Sequence, residues 1–135
     1  MNQYLVSYAD TDAGGVLHHA KYVELAERGR HQWLKHRRLS FSQLTKKHGL
    51  SLVVHDISAK YKSAVYLEDE VKVNTRLKQI DRKGLEWITD IKKAGKVSCK
   101  VITKMVCLNA ATKSIVSVPN FLISELGSEI DPAQV

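Results

Sequence analysis

After residue 50 the chain settles into a period of two, and that constrains the fold more than any other feature. Residues 52–62 alternate through Val53, His55, Ile57, Ala59 and Tyr61, and residues 70–80 through Val71, Val73, Thr75 and Leu77. Residues 85–92 alternate through Leu85, Trp87, Thr89 and Ile91; 97–108 is the longest such stretch, and 113–118 closes the set. Alternation of this kind is the signature of strands with one buried face. Turn residues separate the later strands at Asp81-Arg82-Lys83-Gly84, Ala94-Gly95-Lys96 and 109–112. Short connections predict an antiparallel meander. A sheet with one apolar face needs a cover.

The cover is legible upstream. Between residues 19 and 35, Tyr22, Leu25, Ala26, Gly29 and Trp33 fall at helical spacing and form one apolar stripe, with Glu24, Glu27, Arg28 and Arg30 expected mostly off it. Gly29 costs the helix about 1 kcal/mol against alanine, which close packing on a sheet would justify. A second, short helix is signalled by the capping box Ser40/Gln43, the staple pair Leu39/Leu44 and the stop at Gly49. Residues 3–7 read as a short strand. The expected class is therefore α+β, a long helix packed on a curved antiparallel sheet. That helix would span ~27 Å at ~1.5 Å per residue.

The 135 residues suffice for one domain, taken as 1–127 with a tail over 128–135. No apolar run reaches the ~18 residues of a membrane span, and the opening residues lack a charged-then-apolar leader pattern, so the expected location is cytoplasmic. Cys99 and Cys107 fall eight apart on one strand, roughly 26 Å at ~3.3 Å per residue, which rules out a disulfide between them. Buried thiols in a reducing compartment are expected. The net charge of +7 suggests an anionic partner, either nucleic acid or a phosphate-rich small molecule. Nucleic acid is discounted, because the few aromatics read mostly as core rather than interleaved with the basic residues.

The chemistry concentrates in Tyr8-Ala9-Asp10-Thr11-Asp12-Ala13-Gly14-Gly15-Val16-Leu17-His18-His19-Ala20-Lys21-Tyr22, just ahead of the helix. A carboxylate beside unpaired N–H groups can both attack a carbonyl and stabilise the oxygen that results. Read from residues alone, Asp12 is first of all a turn former, or an acid at the positive end of the coming helix. Asp10 suits a structural or helix-end role, Gly14 and Gly15 a tight turn, and Tyr8 either core filling or a site. His18 and His19 would point about 100° apart on a helix and could not chelate one metal. His31, His36, His48 and His55 show no ligand spacing, so no metal is expected.

This motif and the element order resemble the hotdog-fold acyl-CoA thioesterases, within them the 4-hydroxybenzoyl-CoA thioesterase group, and most closely the Tol-Pal-associated acyl-CoA thioesterases. The residues that carry the resemblance are Tyr8, Asp10-Thr11-Asp12, Gly15-Val16-Leu17-His18-His19-Ala20, Tyr22 and Glu27-Arg28. The chain departs from the pattern at His18, where a tyrosine is usual, and at Ala64, where a proline is common.

The resemblance implies that Asp12 acts as nucleophile or general base on a thioester. It implies that the His19 backbone polarises the carbonyl with its side chain in support, and that Tyr8 is a site tyrosine. Gly15, Val16, His18 and Tyr61 would contact substrate, and Arg82 and Lys83 would meet the nucleotide phosphates of coenzyme A. It further implies an acyl-CoA substrate, with acyl carrier protein as the alternative thiol carrier, no cofactor, and a homo-oligomer (dimer or tetramer) with the acyl pocket between subunits. Two rivals share the scaffold. A hotdog dehydratase or hydratase would use a different Asp/His arrangement. A non-catalytic acyl-CoA-binding regulator would need a DNA-binding segment for which this chain leaves no room.

Overall fold

The computed structural model describes residues 2–130. Its elements are β1 (Asn2–Leu5), a 3-10 turn (Tyr8–Asp10), α1 (His19–His36), α2 (Phe41–His48), β2 (Leu50–Tyr61), β3 (Glu70–Asp81), β4 (Gly84–Lys93), β5 (Lys96–Asn109), β6 (Ile115–Val116) and α3 (Asn120–Gly127). The paired strands are antiparallel, in the order β1-β3-β4-β5-β2, with β6 on β5.

The meander expectation holds for β3–β4–β5 and fails for β2. That strand pairs with β5, from Leu50↔Asn109 to Tyr61↔Cys99, rather than with its sequence neighbour β3. The connection over residues 62–69 explains it. This connection is too long for a tight hairpin, and it buries Val65 completely. The chain uses it to cross the end of the sheet instead of turning back. The last expected strand, 113–118, shrinks to Ile115–Val116. Pro119 then caps α3, an element the alternation gave no sign of. Eight residues make no stable helix alone. Full burial of Leu122 and Leu126 supplies what propensity does not. Residues 131–135 of the expected tail lie outside the described residues, while Ile130, also assigned to that tail, packs against the core.

The helix-facing side of the sheet carries Val71, Val73, Leu77, Leu85, Trp87, Ile91, Cys99, Val101, Met105 and Cys107, all buried. Helix α1 meets it with Tyr22, Ala26, Gly29 and Leu34, while Leu25 and Trp33 are half-buried. Gly29 is where the backbones approach. A Cβ there would collide with Thr75 Oγ1 and stand 3.0 Å from Val73 Cγ1. The placement of Arg30 corrects the sequence reading, because it is 2% exposed rather than off the stripe. It lies four residues past Ala26 and so shares the buried face. Its Nη1 donates to Thr103 Oγ1 at 2.9 Å, and burial lowers its pKa. Helix α2 forms as its residues dictate: Ser40 Oγ accepts from Gln43 N, Gln43 Oε1 accepts from Ser40 N, and Gly49 closes the helix in the left-handed region. Both cysteines are free and buried, and burial pushes Cys99 up to about 11.

The opposite face of the sheet holds a buried carboxylate. Asp90 Oδ2 is 2.6 Å from Arg76 Nη1, and its Oδ1 is 2.9 Å from Lys100 Nζ. Burial pushes the Asp90 carboxyl up, but the hydrogen bonds and charges of Arg76 and Lys100 outweigh it and hold the group below its ordinary value. A lowered folded pKa means stability that is present above the unfolded value and lost as pH falls through the folded one. The Tm difference between wild type and Asp90→Asn should therefore be constant from pH 7 to about 4, then shrink as Asp90 protonates. Thermal melts between pH 7 and 3 check this, and an equal difference at both ends would remove the ion pair from the account.

Candidate active site

The segment from Ser7 to Tyr22 folds as a turn, a miniature hairpin and a helix start. In the turn, Asp10 Oδ2 accepts from Ser7 N at 3.0 Å and from Ser7 Oγ at 2.9 Å. Those bonds, the backbone one foremost, lower the Asp10 pKa. The Asp10 carbonyl accepts from His18 N at 2.9 Å. Asp10 thus ties the turn to the helix start, in keeping with the structural role expected for it.

The hairpin is closed by the Thr11↔Leu17 bridge and by Asp12 N donating to Val16 O at 2.9 Å. Asp12 sits at its tip, exposed, with Oδ1 accepting from Gly14 N at 2.8 Å and from Val16 N at 3.4 Å. Gly15 takes φ +77°, which an L side chain seldom adopts, and so lets the tip turn. This geometry combines two readings of Asp12. One carboxylate oxygen builds the loop, while Oδ2 takes no hydrogen bond among the described residues.

Leu17 is buried, and its N–H donates to Val65 O at 2.7 Å, fixing where the helix begins. His18 is the N-cap of α1 rather than its first residue, with φ −61° and ψ 137°. Its Nδ1 accepts from Ala20 N at 3.2 Å. The two imidazoles therefore do not splay by 100°, because the extended backbone at His18 lets the rings stack at 4.3 Å. Lys21 N donates to His18 O, which leaves the His19 N–H without a partner among the described residues. Tyr61, from the far end of β2, donates its hydroxyl to His19 O at 3.0 Å and sets its ring edge-on to Tyr22 at 5.3 Å.

The fold thus gathers Asp12, Gly15, Val16, His18, His19 and Tyr61 at one end of the sheet. Tyr8 belongs to the same end but is 83% exposed, so it does not fill core, and its carbonyl accepts from Thr11. Arg82 and Lys83 do not join them. They occupy the β3–β4 turn, where Asp81 Oδ1 accepts from Lys83 N and Gly84 N. Glu70 lies at the hairpin end of β3 and Asp81 at the other, roughly 35 Å away at ~3.3 Å per residue.

Sequence reasoning missed the connection between β2 and β3. Val16 bridges Tyr66, Leu67 N donates to Gly15 O, and Lys93 reaches both Asp69 (2.7 Å) and the face of the Tyr66 ring (5.1 Å). Tyr66, Leu67 and Tyr8, each tied to the hairpin through the backbone, and Leu5 just before it are exposed apolar side chains. The available signal was the apolar run Val65-Tyr66-Leu67 inside an otherwise polar link. Among the described residues no cluster of three His, Cys, Asp or Glu side chains could hold a metal, and no helix is long and apolar enough to cross a membrane.

A family profile for the thioesterase-like superfamily matches residues 6–126, which includes every element from the 3-10 turn to the last turns of α3. The chain belongs to the thioesterase-like superfamily. Its fold is the hotdog, thioesterase-like fold. Among similar proteins, the acyl-CoA thioesterase YbgC of Haemophilus influenzae is 30% identical over 116 residues, 84% of each chain. The acyl-CoA thioester hydrolase YbgC of Escherichia coli O6:H1 is 36% identical over 72 residues, 53% of each. A Staphylococcus aureus protein solved in complex with CoA is 17% identical and shares the fold, with a TM-score of 0.85 over 95% of this chain and 81% of that one.

Proposed function

We propose that this thioesterase-like protein hydrolyses the thioester bond of an acyl-CoA. The observation that carries the reading is the pairing at the hairpin–helix junction. A carboxylate with one uncommitted oxygen and a helix-start N–H, each without a further partner among the described residues, belong to the same short segment, flanked by exposed apolar side chains. Asp12 acts on the thioester carbonyl as nucleophile or as general base for water. The His19 N–H, at the positive end of α1, stabilises the oxygen that gains charge. The superfamily and relatives named acyl-CoA thioesterase and thioester hydrolase support the reaction class. The motif adds the 4-hydroxybenzoyl-CoA group, a Tol-Pal association and acyl carrier protein as a second carrier to this proposal, and the rest of the sequence adds a central place for α1 and a cytoplasmic location.

The working unit is a homo-oligomer. On the helix-facing side of edge strand β2, Val54 and Ile57 are exposed, and a second chain would cover them. The basic turn Arg82-Lys83 is too far from Asp12 in its own chain to share its site. In an oligomer the turn from another chain would supply the phosphate contacts.

Thiol release from a panel of aliphatic and aromatic acyl-CoAs tests the reading. Turnover of at least one class with kcat/KM of about 10⁴ M⁻¹s⁻¹ or more is expected. Tight binding of every acyl-CoA without release of thiol would overturn it in favour of a non-catalytic binder.

A further inference from the structure

We propose that His18 is a positioning residue: its unprotonated Nδ1 and the Tyr61 hydroxyl hold the first peptide group of α1 from both ends, and so aim the one backbone N–H left free there. The inference rests on the hydrolytic reading above. The held group is the peptide between His19 and Ala20. Its N–H donates to His18 Nδ1 at 3.2 Å, and its C=O accepts from Tyr61 Oη at 3.0 Å. The two grips come from opposite directions in the sequence, one from the hairpin and one from the end of β2.

Two consequences follow from this geometry. The first concerns which donor is left. A helix start presents several unpaired N–H groups. Here Lys21 N is spent on His18 O and Ala20 N on His18 Nδ1, which leaves the N–H of His19. With the following peptide clamped, only φ and ψ of His19 stand between it and the His19 N–H, and both are helical. Alignment matters because a misplacement of about 1 Å at a reacting centre costs roughly 100-fold.

The second consequence is a dependence on charge. An imidazolium has donors at both nitrogens and cannot accept at Nδ1. Protonation of His18 therefore replaces an N–H···N bond with two opposed donors, and the peptide loses one of its two grips. Imidazoles titrate between pH 5 and 8. The titratable groups around His18 come from each neighbouring element. They are the His19 ring stacked on it, Asp10 from the 3-10 turn, Asp12 from the hairpin, Lys21 from α1 and Tyr61 from β2. A tyrosine at position 18, usual in the pattern this chain resembles, could not cap the helix in this manner.

The test compares wild type, His18→Ala and His18→Asn, each confirmed folded by thermal melting. Asparagine is a strong N-cap acceptor that does not titrate. His18→Ala should lower kcat about 10- to 100-fold at pH 7.5 with KM within about threefold, and His18→Asn should recover most of that loss. Wild-type kcat should fall on acidification more steeply than that of His18→Asn, which keeps an acceptor at the cap whatever the pH. A His18→Ala enzyme with wild-type kcat and pH profile would overturn the proposal, as would an acid limb equally steep in His18→Asn. A readout free of activity separates this from failure of the hydrolytic reading. In the Asp12→Asn protein, the Ala20 amide resonance should move on acidification as the His18 acceptor is lost, and that movement should vanish in the Asp12→Asn/His18→Asn double variant. An Ala20 resonance indifferent to His18 would overturn the clamp whether or not any thioester is cleaved.

Discussion

Asp12→Asn is expected to fold as wild type does and to lose 10²- to 10⁴-fold in acyl-CoA hydrolysis, the range for removing a positioned base or nucleophile. The substitution separates the two tasks of this side chain. An asparagine keeps the Oδ1 acceptor that receives Gly14 N at 2.8 Å, so the hairpin tip persists. It replaces the uncommitted Oδ2 with an NH2 group, which neither attacks a carbonyl nor takes a proton from water. Asp12→Ala removes both, and should add local loosening of the hairpin to the same chemical loss. Thiol release assays with melts on all three proteins check the comparison. An Asp12→Asn enzyme with full activity would remove Asp12 from the chemistry.

The largest effect on stability is expected at Trp87. Its side chain is fully buried at the centre of the sheet and stands edge-on to Trp33 at 5.1 Å. Around it are Leu34 of α1, Leu44 of α2, and Leu122 and Leu126 of α3. Trp87→Ala should cost about 3–5 kcal/mol, enough to unfold a marginal domain at 37 °C. Trp87→Phe should cost much less than its lost volume suggests. The indole N–H is buried with no acceptor among the described residues, so removing it also removes an unsatisfied donor. Urea unfolding of the three proteins decides this. A Trp87→Ala protein within about 1 kcal/mol of wild type would mean that this cluster does not anchor the fold.

Much of the fold was legible because the signals were local. The capping box at Ser40 and Gln43, the staple at Leu39 and Leu44 and the stop at Gly49 act within a dozen residues, and α2 forms from Phe41 to His48 as they require. Alternation marked β3, β4 and β5 nearly to their ends for the same reason: each strand turns every second side chain to the helices. Arg30 shows where type misled and spacing did not. Its position is that of the buried stripe, and Thr103, 73 residues away, supplies an acceptor for the guanidinium there. Helix α3 was invisible because eight residues carry too little pattern, and its burial comes from partners far along the chain.

The candidate site divides along the same line. Asp12, the glycines beside it and the helix start stand within one segment, so their chemistry could be read in order. Tyr61 is 42 residues from His19, and the run around Tyr66 is 50 residues from Val16. Their roles depend on β2 crossing to β5.

What the sequence determined by itself was the elements other than α3 and a glycine turn bearing a carboxylate ahead of a helix, since periodicity, caps and turns are short-range effects. The tertiary structure decided the strand order, the burial of Arg30, the clamp of His18 and Tyr61 on the first peptide of α1, and the distance of Arg82 and Lys83 from Asp12. Those depend on which distant surfaces are buried against one another, and no local pattern specifies the partner.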